Sequence, residues 1–168
     1  MSIIGARNAP LNSCNYAERI SREFGEQGYV VISGMAQGID RSAHQAALIV
    51  GTRALSGNGI DIPYPSQNSD IYQAIKQSSL ILSEMPFGQN PAARFFPQRN
   101  RIIAVLSDGC PVIEATFKSG SLITASQSAD RNIPVMAIPE SPFDPRAQGC
   151  NQLISDETYL LQLVSEII

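Results

Sequence analysis

Two short segments carry the residue types most able to do chemistry. Residues 94–101 read Arg-Phe-Phe-Pro-Gln-Arg-Asn-Arg, so Arg94, Arg99 and Arg101 are interleaved with Phe95 and Phe96 just before a wholly apolar run. Residues 118–121 read Lys-Ser-Gly-Ser, two residues after the mainly apolar stretch 110–115. Guanidinium groups, an ammonium, two hydroxyls and glycine amides at the start of a helix are the groups that hold phosphate oxygens. Aromatic rings beside them offer faces on which unpaired bases stack. An N-cap by Ser119 accounts for the second segment without any ligand. Phe95 and Phe96 as core residues, with one arginine in a structural salt bridge, account for the first, and at least one of the two phenylalanines is expected in the core.

Other candidate groups are weaker. Asp40 and His44 stand four apart on a helical pattern, but His44 is the single histidine of the chain. A hydrogen bond from His44 to Asp40 or to backbone explains the pair better than a metal. Glu84 and Glu114 each end an apolar run, and the reading preferred is that they hold Arg99 or Arg101 as ion-pair partners rather than act as an acid–base pair. There is no Walker A signature and no nucleophile elbow. The three cysteines, Cys14, Cys110 and Cys150, are widely spaced without a Cys-x-x-Cys pair. They read as reduced thiols of a cytoplasmic protein.

These groups need a scaffold. Short β-branched runs alternate with helical patterns: strands are expected at 2–7, 29–34, 52–57, 80–85, 110–115 and 133–139. Helices are expected at 13–28, with Ser13 or Asn15 as cap and Gly28 as stop, and at 38–51, 69–79, 99–109, 119–132, 149–154 and 158–168. This alternation implies an α/β fold in which a mainly parallel sheet is covered on both faces. Ligands then gather beyond the carboxyl ends of the strands, where 5–8, 33–40, 56–61, 83–88 and 118–125 supply glycine and serine at each junction. The chain has 168 residues, 43% hydrophobic and 16% charged, with a net charge of −3. A basic coat is excluded, so any anion site is local. No apolar run reaches ~18 residues, so no membrane span is expected.

The segments 33–44, 57–68, 83–107, 112–125 and 149–154, in this order, closely resemble the DNA processing protein A family, also called DprA or Smf. The resemblance implies an extended Rossmann-like, three-layer α/β/α domain over 1–168, without the N-terminal helical domain or C-terminal winged helix of longer members. It also implies a cytoplasmic protein without cofactor or catalytic activity that binds single-stranded DNA, protects it during natural transformation, helps load the RecA recombinase and forms a homodimer. Carried onto this chain, the family's DNA pocket comprises Arg7, Ser33, Gly34, Phe96, Arg99, Asn100, Arg101, Lys118, Ser119, Gly120 and Ser121. Gln37 and Glu140 depart from the family's usual arginine and glycine. The chain also diverges after Ile154, which carries less of the family's dimer and RecA-contacting segment. A related group of Rossmann-like enzymes cleaves nucleoside monophosphates. Its signature is missing here, and Glu114 is the one acid able to stand in for its carboxylate.

Overall fold

The computed structural model describes residues 1–167. Thirteen regular elements alternate along the chain in the order the sequence pattern requires: β1 (Ile4–Gly5), α1 (Leu11–Glu26), β2 (Val31–Ser33), α2 (Ile39–Ala47), β3 (Thr52–Ser56), α3 (Ser69–Ser78), β4 (Leu80–Ser83), α4 (Phe95–Val105), β5 (Cys110–Ile113), α5 (Gly120–Ala129), β6 (Val135–Ala137), α6 (Gln148–Ser155) and β7 (Tyr159–Leu160). Every ladder between them is parallel. One set pairs in the order β2-β3-β4 and the other in the order β1-β5-β6-β7. A parallel bridge between Ser2 and Ile32 joins the two sets, supported by the amide of Ile3 donating to Ile32 O at 3.0 Å. The combined order is β4-β3-β2-β1-β5-β6-β7, a doubly wound Rossmann-like sheet.

The strands are buried on both faces, and side-chain alternation sorts them. Ile3, Val31, Ile113 and Met136 join one core with Ala17, Ile20 and Phe24 of α1 and Ala43 and Ala47 of α2. Their chain neighbours Ile4, Ile32, Val112 and Ala137 join the other, with Ile103 of α4, Ala125 of α5 and Cys150 of α6. This is the three-layer arrangement. Because the chain steps outward from β1 to β4 and then returns to pair β5 on the other side of β1, the strand order reverses between β1 and β5. A crevice opens at such a reversal, beyond the carboxyl ends of the strands.

Several expected boundaries shift, each for a local reason. Helix α1 starts at Leu11 behind Pro10, so neither Ser13 nor Asn15 is its cap. Proline fits a helix start because its absent N–H has no partner there anyway. The stop at Gly28 holds, with φ +87°. Helix α4 starts at Phe95, not Arg99, and ends at Val105. Its Pro97 stands in the first turn, where helices tolerate it. The helix expected at 158–168 does not form: Tyr159–Leu160 adds a short strand to the sheet, and Val164–Glu166 make one 3-10 turn. The edge of β6 offered open backbone groups, and pairing there won over helical spacing. Ile168, the last residue of that expected helix, lies outside the described residues. No helix among the described residues is long and apolar enough to cross a membrane.

Candidate nucleic-acid interface

A cleft of about 470 Å³ lies at the reversal point. The turn after β1 delivers Arg7 to it, α4 delivers Phe96, Arg99 and Asn100, and the β5–α5 junction delivers Ser119, Gly120 and Ser121. These expected residues therefore meet at one place, although they come from three separate parts of the chain.

Arg99 forms the floor. It is only 8% exposed. One Nη donates to Leu55 O at the end of β3, and Nε donates to Asn100 Oδ1 at 3.1 Å. The guanidinium lies directly over Gly34: a Cβ built there falls 2.5 Å from Arg99 Nη1 and 2.6 Å from Asp40 Oδ2. Only glycine leaves room at this strand end for both groups. Burial lowers the Arg99 pKa to about 10, with the negative charge of Asp40 acting against that shift. At neutral pH the guanidinium stays charged. Burial conversely pushes the Asp40 carboxyl up, and Arg99 pulls it back. Arg99 Nη2 has no hydrogen-bond partner among the described residues, so a buried, charged fork keeps donors directed to whatever enters the cleft.

The neighbours of Arg99 fix its frame. Asn100 also donates through Nδ2 to Gly120 O at 3.4 Å, tying α4 to the start of α5. Ser119 is the N-cap of α5 as expected, its Oγ accepting from Ser121 N at 3.3 Å. The Ser119 and Ser121 hydroxyls stand 2.6 Å apart, at the positive end of the helix dipole. Phe96 is half-buried rather than core, as is Phe95, so neither phenylalanine fills the interior. The Phe96 ring stacks on Tyr64 with centroids 5.7 Å apart and planes 22° apart. The Arg7 guanidinium stands 5.6 Å from the Phe96 centroid. Tyr64, which composition alone does not single out, is thus part of the wall. Its position in a Tyr-Pro pair inside the glycine-rich junction after β3 is the signal that could have found it.

The other expected residues lie elsewhere. Ser33 is fully buried and its hydroxyl donates to Ile3 O at 2.6 Å, bracing β2 against β1. Gly34 is the seat under Arg99. Lys118 is exposed on the loop before Ser119 and does not line the cleft. Arg101 is also outside the lining and ion-pairs with Glu84 on the surface. The preferred ion-pair reading therefore holds for Glu84 but not for Glu114. Glu114 is 1% exposed, accepts from Ser13 Oγ at 2.5 Å, and faces Arg146 Nε at 3.3 Å. His44 binds backbone: Nε2 donates to Gly34 O at 2.6 Å, and Nδ1 lies 2.7 Å from Thr52 Oγ1. Among the described residues no group of acidic, histidine or cysteine side chains is arranged to hold a metal.

The family model of DNA recombination-mediator protein A matches residues 1–168. The chain is 40% identical over 156 residues to Protein Smf of Synechocystis, covering 92% of this chain and 39% of that protein. It is 36% identical over 170 residues to the DNA processing protein DprA of Streptococcus pneumoniae, covering all of this chain and 60% of that one. The solved structure of the pneumococcal DprA superposes with a TM-score of 0.92 over 99% of this chain and 59% of that chain, at 35% identity. The structure of DNA processing protein A from Helicobacter pylori, described for its single-stranded DNA binding mode, superposes with a TM-score of 0.93 at 30% identity, covering 99% of this chain and 76% of that one. The chain thus spans less than two thirds of the length of either curated relative, 39% of one and 60% of the other. With the family model matched end to end and the fold shared with two of its members, the chain belongs to the DNA recombination-mediator protein A family, whose members carry the names DprA and Smf.

Proposed function

We propose that this chain grips single-stranded DNA by its sugar–phosphate backbone in the cleft between β1 and β5. The observation that carries the reading is Arg99: a buried, charged guanidinium at the strand-order reversal, with Nη2 left unpartnered and facing a 470 Å³ opening. Arg7 at the rim and the hydroxyls and amides at the start of α5 extend the anion site. The description of the Helicobacter pylori relative as a single-stranded DNA binder supports the same reading. Lys118 contributes at the edge through long-range attraction, and Arg101 is quenched by Glu84. From family membership we further propose a single DNA-binding domain that works inside the cell during DNA uptake, protects incoming strands, assists RecA loading and pairs with a second copy.

The test is anisotropy with labelled oligonucleotides across a salt series. Single strands bind tighter than duplex of the same sequence, and log K falls with log salt at a slope of about −0.7 for each phosphate held. Tighter binding of duplex, or no salt dependence, overturns the reading. The alternative, hydrolysis of nucleoside monophosphates, needs a carboxylate in the cleft that attacks or activates water at the sugar. Glu114, the acid that alternative requires, faces Ser13 and Arg146 and is not among the residues that line the cleft. Release of free base from a nucleoside monophosphate revives it.

A further inference from the structure

A second cavity of about 220 Å³ adjoins the cleft, and the two share Arg7, Tyr64, Phe96 and Arg99 as a common wall. It is smaller than the ~300 Å³ at which pockets for whole small molecules begin. Its floor is apolar, with Met35 and Leu55 almost fully buried. Gly57 completes the floor and lets the Phe96 ring lie against it: a Cβ there falls 2.8 Å from Phe96 Cδ1. The polar groups deeper in are already satisfied. Ser56 Oγ donates to Asn58 Oδ1 at 3.1 Å, and Asn58 Nδ2 donates to Gly59 O at 3.0 Å and Ile62 O at 2.7 Å. Two carboxamides remain at the rim, Gln37 and Gln67. Gln37 has no hydrogen-bond partner among the described residues, and Gln67 Oε1 has a long contact of 3.4 Å from Ser66 Oγ.

A narrow slot with an apolar floor, an aromatic wall and carboxamides at its mouth matches a flat heteroaromatic ring that carries polar edges. Met35, Leu55 and Gly57 give a phosphate or a sugar no side-chain partner on that floor, and the guanidiniums of Arg7 and Arg99 stand at the wall shared with the cleft. A carboxamide offers one acceptor and one donor side by side, the complement of the adenine N6–N7 edge. We propose that this cavity receives one unstacked base of the bound strand, and that Gln37 and Gln67 make it favour adenine. The inference rests on the single-strand reading above: phosphates held by Arg7 and Arg99 on one side of the Phe96 wall place the base on the other.

The experiment uses abasic oligonucleotides carrying spaced adenines or spaced thymines, beside the fully abasic strand, with the 168-residue chain and its Gln37→Ala, Gln67→Ala double variant. The parent binds the adenine strand about 5- to 30-fold tighter than the abasic strand, and several-fold tighter than the thymine strand. The double variant keeps its abasic affinity and salt slope but loses the adenine preference. Equal affinity of the parent for all three strands overturns the base cavity while leaving the phosphate cleft standing. An adenine preference that survives in the double variant overturns the role of the glutamines. Failure to bind even the abasic strand overturns both readings. Displacement of the strand by free dAMP at concentrations near the strand's own Kd also overturns the proposal, since the cavity then belongs to a mononucleotide.

Discussion

Two arginines stand beside buried carboxylates at the carboxyl edge of the sheet, Arg99 with Asp40 and Arg146 with Glu114. Arg99 is buried and spends two of its donors on Leu55 O and Asn100 Oδ1, leaving the outer Nη free toward the cleft. The Arg146 side chain is 42% exposed, and its fork is closed on Asp144 Oδ2 at 2.7 Å while Nε faces Glu114 at 3.3 Å. Two carboxylates therefore cancel the charge of Arg146. Glu114 is held at φ +57°, an uncommon conformation for a non-glycine residue. The second cluster fastens the 139–147 loop to the end of β5 and lies outside both cavities. Charge left over at a rim is available to a ligand. Charge consumed by neighbours holds the fold.

That contrast is open to being broken, and the largest effect falls on Arg99. Replacing Arg99 with Met leaves the buried Asp40 with only the weaker influence of Arg7 and removes the floor of the cleft. Affinity for single strands falls by about 10- to 100-fold, and chemical denaturation shows a loss of about 2–4 kcal/mol. Acid separates the two regions next. Burial lowers the His44 pKa from 6.5 to about 4, so the unfolded chain takes up a proton first. Stability from this group is complete above pH 6.5, declines as pH falls, and is lost once pH passes about 4, a change of about 3 kcal/mol. Burial raises the Glu140 carboxyl, and neighbouring Glu114 adds to the shift. Its contribution has the opposite sign: it is complete below its ordinary value of 4.5 and fades as pH rises through the raised value. Melting curves against pH therefore flatten in His44→Gln, whereas Glu140→Gln is stabilised at neutral pH more than in acid.

Smaller changes sharpen the comparison. Gly34→Ala thrusts a Cβ between Arg99 and Asp40, costing about 1–3 kcal/mol and roughly tenfold in strand affinity, which titration with the same oligonucleotides checks. Arg146→Gln strips the buried Glu114 of its cation and lowers the denaturation midpoint. Strand affinity in that variant stays within twofold of the parent. A matching loss of affinity would mean that the clasp, too, shapes the cleft.

The layers of the fold were legible because both-faces burial leaves apolar strands such as Val31–Ile32 and Val112–Ile113, and because Tyr16, Ile20 and Phe24 repeat at helical spacing. The Ser119 cap was legible from serine, glycine and serine following a strand. The start of α4 was not, since Pro97 reads as a breaker unless one knows that it falls in the first helical turn. The division of labour among the arginines was also hidden. Arg99 and Arg101 are two apart on one helix, which turns them to different sides: one inward over Gly34, one outward to Glu84. The Glu114 to Arg146 pairing spans 32 residues between a strand end and a Pro-rich loop, and nothing local announces it.

The central claim is that surplus positive charge at the β1/β5 crevice holds a strand by its phosphates. Arg7 tests it most directly, because it is exposed at the rim and its removal leaves the core intact. Measured over a salt series, Arg7→Ala weakens single-strand binding about tenfold for every sequence and flattens the log–log salt slope by about 0.7. Arg131→Ala, an equal change in net charge at the far end of α5, leaves both near the parent's values. Identical affinity and slope for parent and Arg7→Ala, or an equal loss in Arg131→Ala, would contradict the account.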